Sequence, residues 1–181
     1  MTEYDVLMYI PSKAPFDLFR FPERKHGMQL YCKRVFIMDD CKELLPTCLG
    51  FVQGVVDAPD LNLNVSREIL QEDRLVRNIQ KNLVKKIFST LEEMDKEKYE
   101  EFYNEFGQAL KAGIATDFAN KERIAALLRY KTTKSGDKYV TLDEYIENVK
   151  EAQKEIFYPH RRKPHLPDEL PAAGIFESQG L

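Results

Sequence analysis

The chain has 181 residues, of which 43% are hydrophobic, 31% are charged and 11% are aromatic. With a mean hydropathy of −0.48, this composition is that of a globular protein with one or two domains, and it excludes wholesale disorder. The net charge of −3 gives no overall positive field to attract nucleic acid or an anionic membrane. No apolar stretch reaches the length of a membrane span, and the acidic start MTEYD is unlike a secretory signal.

The N-terminal third of the chain has the pattern of strands. Residues 5–11 (DVLMYIP) and 30–39 (LYCKRVFIMD) are each predicted to form a single strand, because β-branched and aromatic residues dominate both. Residues 20–27 contain proline, glycine and several basic groups, which predicts an exposed connection. A short helix is predicted at residues 44–49, and another strand at 51–57 (FVQGVVD).

The hydrophobic period lengthens in the rest of the chain. Apolar residues recur every four positions from Leu75 to Leu91, which indicates an amphipathic helix. Further elements are predicted at residues 99–110 (helix), after residue 120 (helix), at 129–141 (a hairpin turning at 135–137), at 142–149 (helix) and at 155–158 (strand). Residues 159–181 hold several prolines and the cluster Arg161-Arg162-Lys163 without a sustained period, and we predict an irregular tail there.

The three cysteines, Cys32, Cys41 and Cys48, are spaced C-x8-C-x6-C. This spacing fits no zinc site and contains no C-x-x-C redox pair. We predict reduced thiols that fill small gaps in the core, as is usual in a cytoplasmic protein.

Signatures of a self-sufficient enzyme are missing from the sequence. It contains no phosphate-binding glycine loop, no G-x-S-x-G and no H-E-x-x-H. The three histidines, His26, His160 and His165, fall in predicted connections or in the tail, so we expect them to be solvated rather than catalytic or metal-bound. The chain is not expected to bind a metal or to act as an autonomous hydrolase.

Residues 61–71 (LNLNVSREILQ) contain an unusual arginine. Two residues that favour helix N-caps precede Arg67, so its cation lies in a predicted first turn, where it opposes the helix dipole. Gln71 projects from the same face one turn later. A guanidinium beside a helix N-terminus is suited to bind a phosphate. The alternative is a surface arginine that pairs with Glu72 or Asp73.

A basic stripe follows on the next predicted helix, with Arg74, Arg77, Lys81 and Lys85 at helical spacing. Such a stripe is typical of the solvated side of an amphipathic helix. Binding of phosphate or of an acidic partner is the alternative role.

Several long stretches resemble the middle domain of the 90-kDa heat-shock chaperones. The resemblance covers residues 4–158, and KHG and DFAN are closer to the bacterial branch, high-temperature protein G. The matching stretches are YIPSKAPFDLF (9–19), KHG (25–27), RVFIMDDCKELLP (34–46), GVVDAPDLNLNVSREILQ (54–71), KNLVKKI (81–87), DFAN (117–120), LLRY (127–130) and QKEIFY (153–158).

The resemblance implies an α/β fold, or α+β, in which an α/β/α sandwich with a mixed sheet precedes a helical coil and a second, small α/β unit. Residues 1–72 with part of the following helix would form the larger α/β/α subdomain, and residues 73–128 the helical subdomain. Residues 129–158 would begin the small α/β unit. The tail at 159–181 has no counterpart in the family.

The resemblance also implies a function. In these dimeric chaperones an N-terminal domain binds ATP, with Mg²⁺, and a C-terminal domain dimerises. The arginine that matches Arg67 reaches the γ-phosphate, and the residue that matches Gln71 supports this contact. The phenylalanine that matches Phe36 belongs to an apolar patch on which the N-terminal domain's catalytic loop rests, and we place Lys33 and Arg34 in the same docking surface.

The expected partners are therefore the N-terminal ATP-binding and C-terminal dimerisation domains of the same chaperone, client proteins and co-chaperones, in the cytoplasm. Nucleic acid and membranes are not expected partners. The alternative function is a pure protein-interaction domain, in which Arg67 is only a surface charge.

Overall fold

The structure is a computed structural model that describes residues 3–15, 27–61, 73–149 and 156. Strands come first along the described chain and helices follow, so the fold is of the α+β class. The chain divides into two compact units, Met1–Leu128 and Arg129–Leu181.

A mixed sheet forms the first part of the fold. Its strands are Asp5–Tyr9 (β1), Met28–Cys32 (β2), Val35–Met38 (β3) and Gln53–Asp57 (β4), in the spatial order β1–β4–β2–β3. Strand β4 is antiparallel to β1 and parallel to β2, while β2 and β3 are antiparallel. The sheet is mixed, as the family resemblance implied.

The two faces of this sheet differ in burial. Met28, Leu30 and Val56 are fully buried on one face, where they form part of the hydrophobic core. On the opposite face Leu7 is 68% exposed and Tyr9 is 55% exposed. The Tyr9 hydroxyl donates a hydrogen bond to Gln53 Oε1 at 2.8 Å, which joins the side chains of neighbouring strands on this open face.

The helices of the described chain are Arg74–Glu92 (α1), Lys96–Thr116 (α2), Lys121–Leu127 (α3) and Leu142–Glu147 (α4), and two 3₁₀ turns lie at Thr47–Leu49 and Phe118–Asn120. Buried aromatic rings connect the helices to the chain that precedes β4. The centroid of the Phe51 ring lies 5.4 Å from that of Phe102 and 4.9 Å from that of Phe106. These rings are at most 7% exposed and anchor α2 in the core.

An ion pair joins α3 to the end of α1. The Arg123 guanidinium donates from Nε to Glu92 Oε1 at 2.9 Å and from a terminal nitrogen to Oε2 at 2.8 Å, while its central carbon lies 5.2 Å from the centroid of the Phe88 ring. This bidentate geometry fixes the guanidinium plane more tightly than a single contact would.

One strand prediction was wrong. The sequence suggested a single strand over residues 30–39, but the chain turns back at Lys33 and Arg34, whose φ angles are +51° and +65°. These left-handed residues separate β2 from β3 and create a hairpin. As a result Phe36 pairs with Tyr31 on the open side of the sheet, whereas an uninterrupted strand would put it on the same face as Leu30.

Most other predicted elements are confirmed, with small shifts at their ends. The helices predicted at 75–91, at 99–110, after residue 120 and at 142–149 are α1 to α4. The predicted hairpin at 129–141 is reduced to an isolated antiparallel bridge between Tyr130 and Val140. The three cysteines are buried and unpaired, as predicted. The predicted connection before residue 27, the strand at 155–158 except Ile156, and the tail at 159–181 lie outside the described residues.

Candidate functional site at the tip of the first hairpin

The predicted site residues fall into two groups. Lys33, Arg34 and Phe36 lie at the tip of the β2–β3 hairpin, whereas Arg67 and Gln71 lie outside the described residues. The geometry of the site is therefore that of the hairpin tip and of the two points where residues 62–72 connect to the described fold. Below, "the hairpin tip" means residues 33–36.

The hairpin tip is an exposed two-residue turn with an apolar flank. Both turn residues, Lys33 and Arg34, are left-handed, as in the type I′ turns that suit the twist of a hairpin. Such turns favour asparagine and glycine, and a left-handed conformation costs other residues roughly 1–2 kcal/mol each. The next residues, Val35 and Phe36, are 53% and 52% exposed. The tip thus presents two cations beside an apolar surface.

Packing on one side holds the Phe36 ring. It meets the Tyr31 ring edge-on, with the centroids 5.6 Å apart and the planes at 74°. The Tyr31 hydroxyl in turn donates to Gln29 Oε1 at 3.3 Å. Because the other side of Phe36 remains exposed, the ring can contact a partner with little loss of side-chain freedom.

Asp57, at the end of β4, supports the turn. Its Oδ2 atom accepts a hydrogen bond from the backbone N–H of Arg34 at 2.9 Å, and the N–H of Ala58 donates to the Tyr31 carbonyl at 3.0 Å. Oδ1 of Asp57 is buried and has no hydrogen-bond partner among the described residues. The sequence did not indicate Asp57, because residues 30–39 have a strand composition throughout and the turn that needs an acceptor was not predicted.

Residues 62–72 begin next to this hairpin. The Cys32 thiol donates to the Leu61 carbonyl at 3.0 Å, and the Leu61 side chain is 4% exposed, so the last described residue before the segment is fixed beside the end of β2. At the other end, Asp73 caps α1 by accepting from the N–H of Leu75 at 2.6 Å. The segment that contains Arg67 therefore starts at the hairpin and ends at the N-terminus of α1.

The basic stripe lies on the outer side of α1, as predicted. Arg74, Arg77, Lys81 and Lys85 are all exposed, while the buried side of the helix consists of aliphatic residues and Phe88. This arrangement agrees with a solvated helix face.

The described residues offer neither a metal site nor a membrane segment. No group of three or more histidine, cysteine, aspartate or glutamate side chains among them could hold a metal ion. None of the helices in this part of the chain is long and apolar enough to span a bilayer. The three histidines lie outside the described ranges.

ATP and Mg²⁺, which the resemblance implies, do not fit the hairpin tip as a complete site. The tip has cations for a phosphate, but its nearest carboxylate, Asp57, already accepts from the turn, and Mg²⁺ requires several oxygen ligands. The tip is instead suited to contact a separate domain through one aromatic ring and two positive charges.

Comparison with known proteins shows the family of the chain. The family model described as Hsp90 protein matches residues 1–165. The chain is 49% identical to the chaperone protein HtpG of Legionella pneumophila (strain Paris) over 184 aligned residues, which cover 99% of this chain and 29% of that protein. This alignment extends into residues 159–181, so the expectation that the tail has no counterpart in the family was wrong. It is 52% identical to HtpG of Shewanella amazonensis over 161 residues, with 86% of this chain and 25% of that protein covered.

A solved structure gives the same result. The middle domain of a Plasmodium falciparum heat shock protein superposes with a TM-score of 0.70 at 36% identity, covering 83% of this chain and 59% of that one. The chain spans less than a third of the length of the HtpG proteins above. It belongs to the Hsp90 family and corresponds to part of the middle domain.

Proposed function

We propose that this chain completes the ATPase of a chaperone by placing Arg67 on the γ-phosphate of ATP held by the N-terminal domain. Gln71, one turn later, supports Arg67, and the hairpin tip docks the N-terminal domain through Phe36, Lys33 and Arg34. The same chaperone supplies the nucleotide pocket, Mg²⁺ and a C-terminal dimerisation domain. The complete protein acts in the cytoplasm on client proteins, together with co-chaperones where these exist.

One observation carries this proposal: the docking surface and the segment that contains Arg67 share an anchor. The Cys32 thiol binds the carbonyl of Leu61, and Cys32 is the last residue before the turn that presents Phe36. The end of the hairpin therefore presents Phe36 on the open face of the sheet. Through Cys32 on the buried face, it also holds Leu61, the residue before 62–72. Docking at the hairpin tip and placement of Arg67 are then linked through the hydrogen bond between Cys32 and Leu61.

Each residue has a separate chemical task. The Phe36 ring gives docking energy by losing its remaining exposure to water. The cations of Lys33 and Arg34 attract a domain that carries a negatively charged nucleotide. Arg67 donates parallel hydrogen bonds to the γ-phosphate as charge redistributes during its transfer to water, which lowers the barrier rather than strengthening the binding of ATP.

The test is ATP turnover by a full-length chaperone that contains this chain as its middle domain. We expect Arg67→Ala to lower turnover at least about tenfold, although arginine contacts of this type are worth up to 10³–10⁵, because slow domain closure hides part of a chemical defect. The dissociation constant of ATP should change less than about twofold, since its base and sugar lie in another domain. Arg67→Lys should restore only part of the rate, because an ammonium lacks the planar fork.

Arg74→Ala is the control, because it removes an exposed arginine from the start of α1. An equal loss of turnover in both variants would indicate a general effect of positive charge and would contradict the proposal. Normal turnover in Arg67→Ala, together with weaker client or partner binding in Phe36→Ala, would instead favour the pure protein-interaction domain. The exposed Phe36 ring is the observation that supports this second function, the protein-interaction domain.

A further inference from the structure

Asp57 has a hydrogen-bonding pattern that a simple strand residue does not need. The N–H of the second residue in a two-residue hairpin turn has no acceptor inside the turn. Asp57 supplies that acceptor to Arg34 from another strand, 23 residues away. The carboxylate thus stabilises a left-handed turn made of two residues, Lys33 and Arg34, whose side chains cannot support it locally.

The second carboxylate oxygen of Asp57 indicates that supporting the turn costs free energy of folding. Oδ1 of Asp57 is buried and has no partner among the described residues, and a buried polar atom without a hydrogen bond is unfavourable. A hydrogen bond donated to a charged acceptor is stronger than one donated to a neutral acceptor. The unpaired Oδ1 of Asp57 therefore lowers the stability of the fold, while Oδ2 accepts a strong hydrogen bond from the backbone N–H of Arg34.

We infer that Asp57 is a positioning residue for the ATPase: it holds the hairpin tip so that Phe36 and the turn cations meet the docking domain. This inference rests on the proposed function. Asp57 touches neither nucleotide nor partner in it, and acts only through the backbone of Arg34. Two further hydrogen bonds join the hairpin to the chain that follows β4. The N–H of Ala58 donates to the Tyr31 carbonyl, and the Cys32 thiol donates to the Leu61 carbonyl.

The first measurement is amide hydrogen exchange at Arg34 in this chain, which does not depend on the proposed function. We expect Asp57→Ala to accelerate exchange of the Arg34 N–H about tenfold, because that amide loses its acceptor. Asp57→Asn keeps a carbonyl oxygen and should give a smaller change. Unchanged exchange in Asp57→Ala would overturn the inference at its first step.

The second measurement is ATP turnover in the full-length chaperone. We expect Asp57→Ala to lower kcat roughly three- to tenfold and to leave the KM for ATP within about twofold, since only docking is impaired. The double variant Asp57→Ala/Phe36→Ala should lose less than the product of the two single losses, because both changes act on the same docking surface. Fully multiplicative losses would show that Asp57 acts elsewhere and would overturn the inference.

Two controls separate positioning from stability. Asp5 lies opposite Asp57 in the β1–β4 register and is exposed, so Asp5→Ala removes a neighbouring carboxylate without removing the acceptor of Arg34. Ile79→Val trims the buried side of α1 and lowers stability mildly. Both should keep normal turnover, and a loss equal to that of Asp57→Ala in either would contradict a positioning role.

The outcomes also separate this inference from the proposed function. Normal turnover in Arg67→Ala would overturn the function, whatever Asp57 does. Slow turnover in Arg67→Ala and Phe36→Ala with normal turnover in Asp57→Ala would overturn the role of Asp57 alone.

Discussion

The helical core and the hairpin tip use aromatic residues in opposite ways. In the core, Phe51, Phe102 and Phe106 contact one another and are almost completely buried. At the tip, Phe36 contacts the Tyr31 ring and leaves half of its surface in water. The first arrangement maximises the free energy gained from burial, and the second keeps apolar surface available to a partner.

The backbone shows the same contrast. Beyond their first turns, helices α1 and α2 satisfy their amides internally, and they place apolar residues at regular spacing. The tip has two consecutive left-handed residues, Lys33 and Arg34, and depends on a carboxylate whose second oxygen is unsatisfied. Two of the three non-glycine residues with positive φ in the described chain, Lys33 and Arg34, thus lie where function is proposed, and the third is Asp40. Such departures from local preference are common at functional sites.

The largest effect should come from deleting a core ring. We expect Phe106→Ala to lower the free energy of unfolding by about 3–5 kcal/mol, because it removes a buried ring and leaves a cavity. Phe36→Ala should cost less than about 1 kcal/mol, because half of the ring is already solvated. Urea denaturation of both variants measures this difference. A similar loss of unfolding free energy in both variants would contradict the difference between the buried core rings and the exposed tip ring.

A methyl group at Gly54 should give the next largest effect. Its Cβ would lie 2.1 Å from the carbonyl oxygen of Leu7, so β1 and β4 would have to separate. We expect Gly54→Ala to lower the free energy of unfolding by about 1–3 kcal/mol in thermal or urea denaturation.

Gly136 is the matched control for Gly54. It has a left-handed φ of +59° and no heavy atom within 4 Å of an added Cβ, so Gly136→Ala should cost only about 1 kcal/mol of backbone strain. If Gly136→Ala were the more harmful change, close approach of the strands would not be the reason for glycine at position 54.

The ion pair between α1 and α3 should contribute less and should depend on pH. Hydrogen bonding and the nearby charge of Arg123 lower the pKa of the Glu92 carboxyl in the folded state. The pair therefore stabilises the fold above the unfolded pKa, about 4.3, and loses its effect as the pH falls through the lower folded pKa.

For this partly exposed pair we expect Glu92→Gln to cost about 0.5–1 kcal/mol at pH 7 and almost nothing near pH 3. Glu101→Gln, an exposed change on α2, should show no such pH dependence. Unfolding curves at several pH values measure both variants, and a cost for Glu92→Gln that persisted near pH 3 would exclude the charge of Glu92 as its source.

The smallest effect concerns the thiols. Burial raises the pKa of Cys41 to about 12 and that of Cys48 to about 11, so almost no reactive thiolate forms at pH 8. We expect iodoacetamide to leave both unmodified in the folded chain and to modify them in urea, as measured by mass spectrometry. Val35→Cys at the exposed tip is the positive control and should react rapidly. Rapid labelling of Cys41 without denaturant would show that the core opens.

The helices could be predicted from the sequence, but the hairpin could not. Helix α1 repeats apolar residues every four positions from Ile79 to Leu91, and this period alone identifies its buried side. Residues 30–39 have a strand composition throughout, and the turn within them uses Lys33 and Arg34 instead of glycine or asparagine. What stabilises this turn is a carboxylate 23 residues away, and no local pattern can show it.

The candidate site was predictable only in part, for the same reason. Resemblance to the family drew attention to Phe36, Lys33 and Arg34, and the structure places these three together at one exposed tip. The contribution of Asp57 required the parallel pairing of β2 with β4, which a linear sequence does not reveal. The roles of Arg67 and Gln71, and the docking role of the three tip residues, stay predictions.

The order of strands in the sheet has a consequence for synthesis. Strand β1 is made first, yet its partner comes much later, since Tyr9 pairs with Gln53, 44 residues along the chain. Loop closure over that distance is slow compared with formation of the local β2–β3 hairpin. We therefore expect the backbone of β1 to stay unpaired during synthesis, with Leu7 exposed, until β4 has emerged from the ribosome. For that interval the nascent domain is itself a segment that a chaperone could hold.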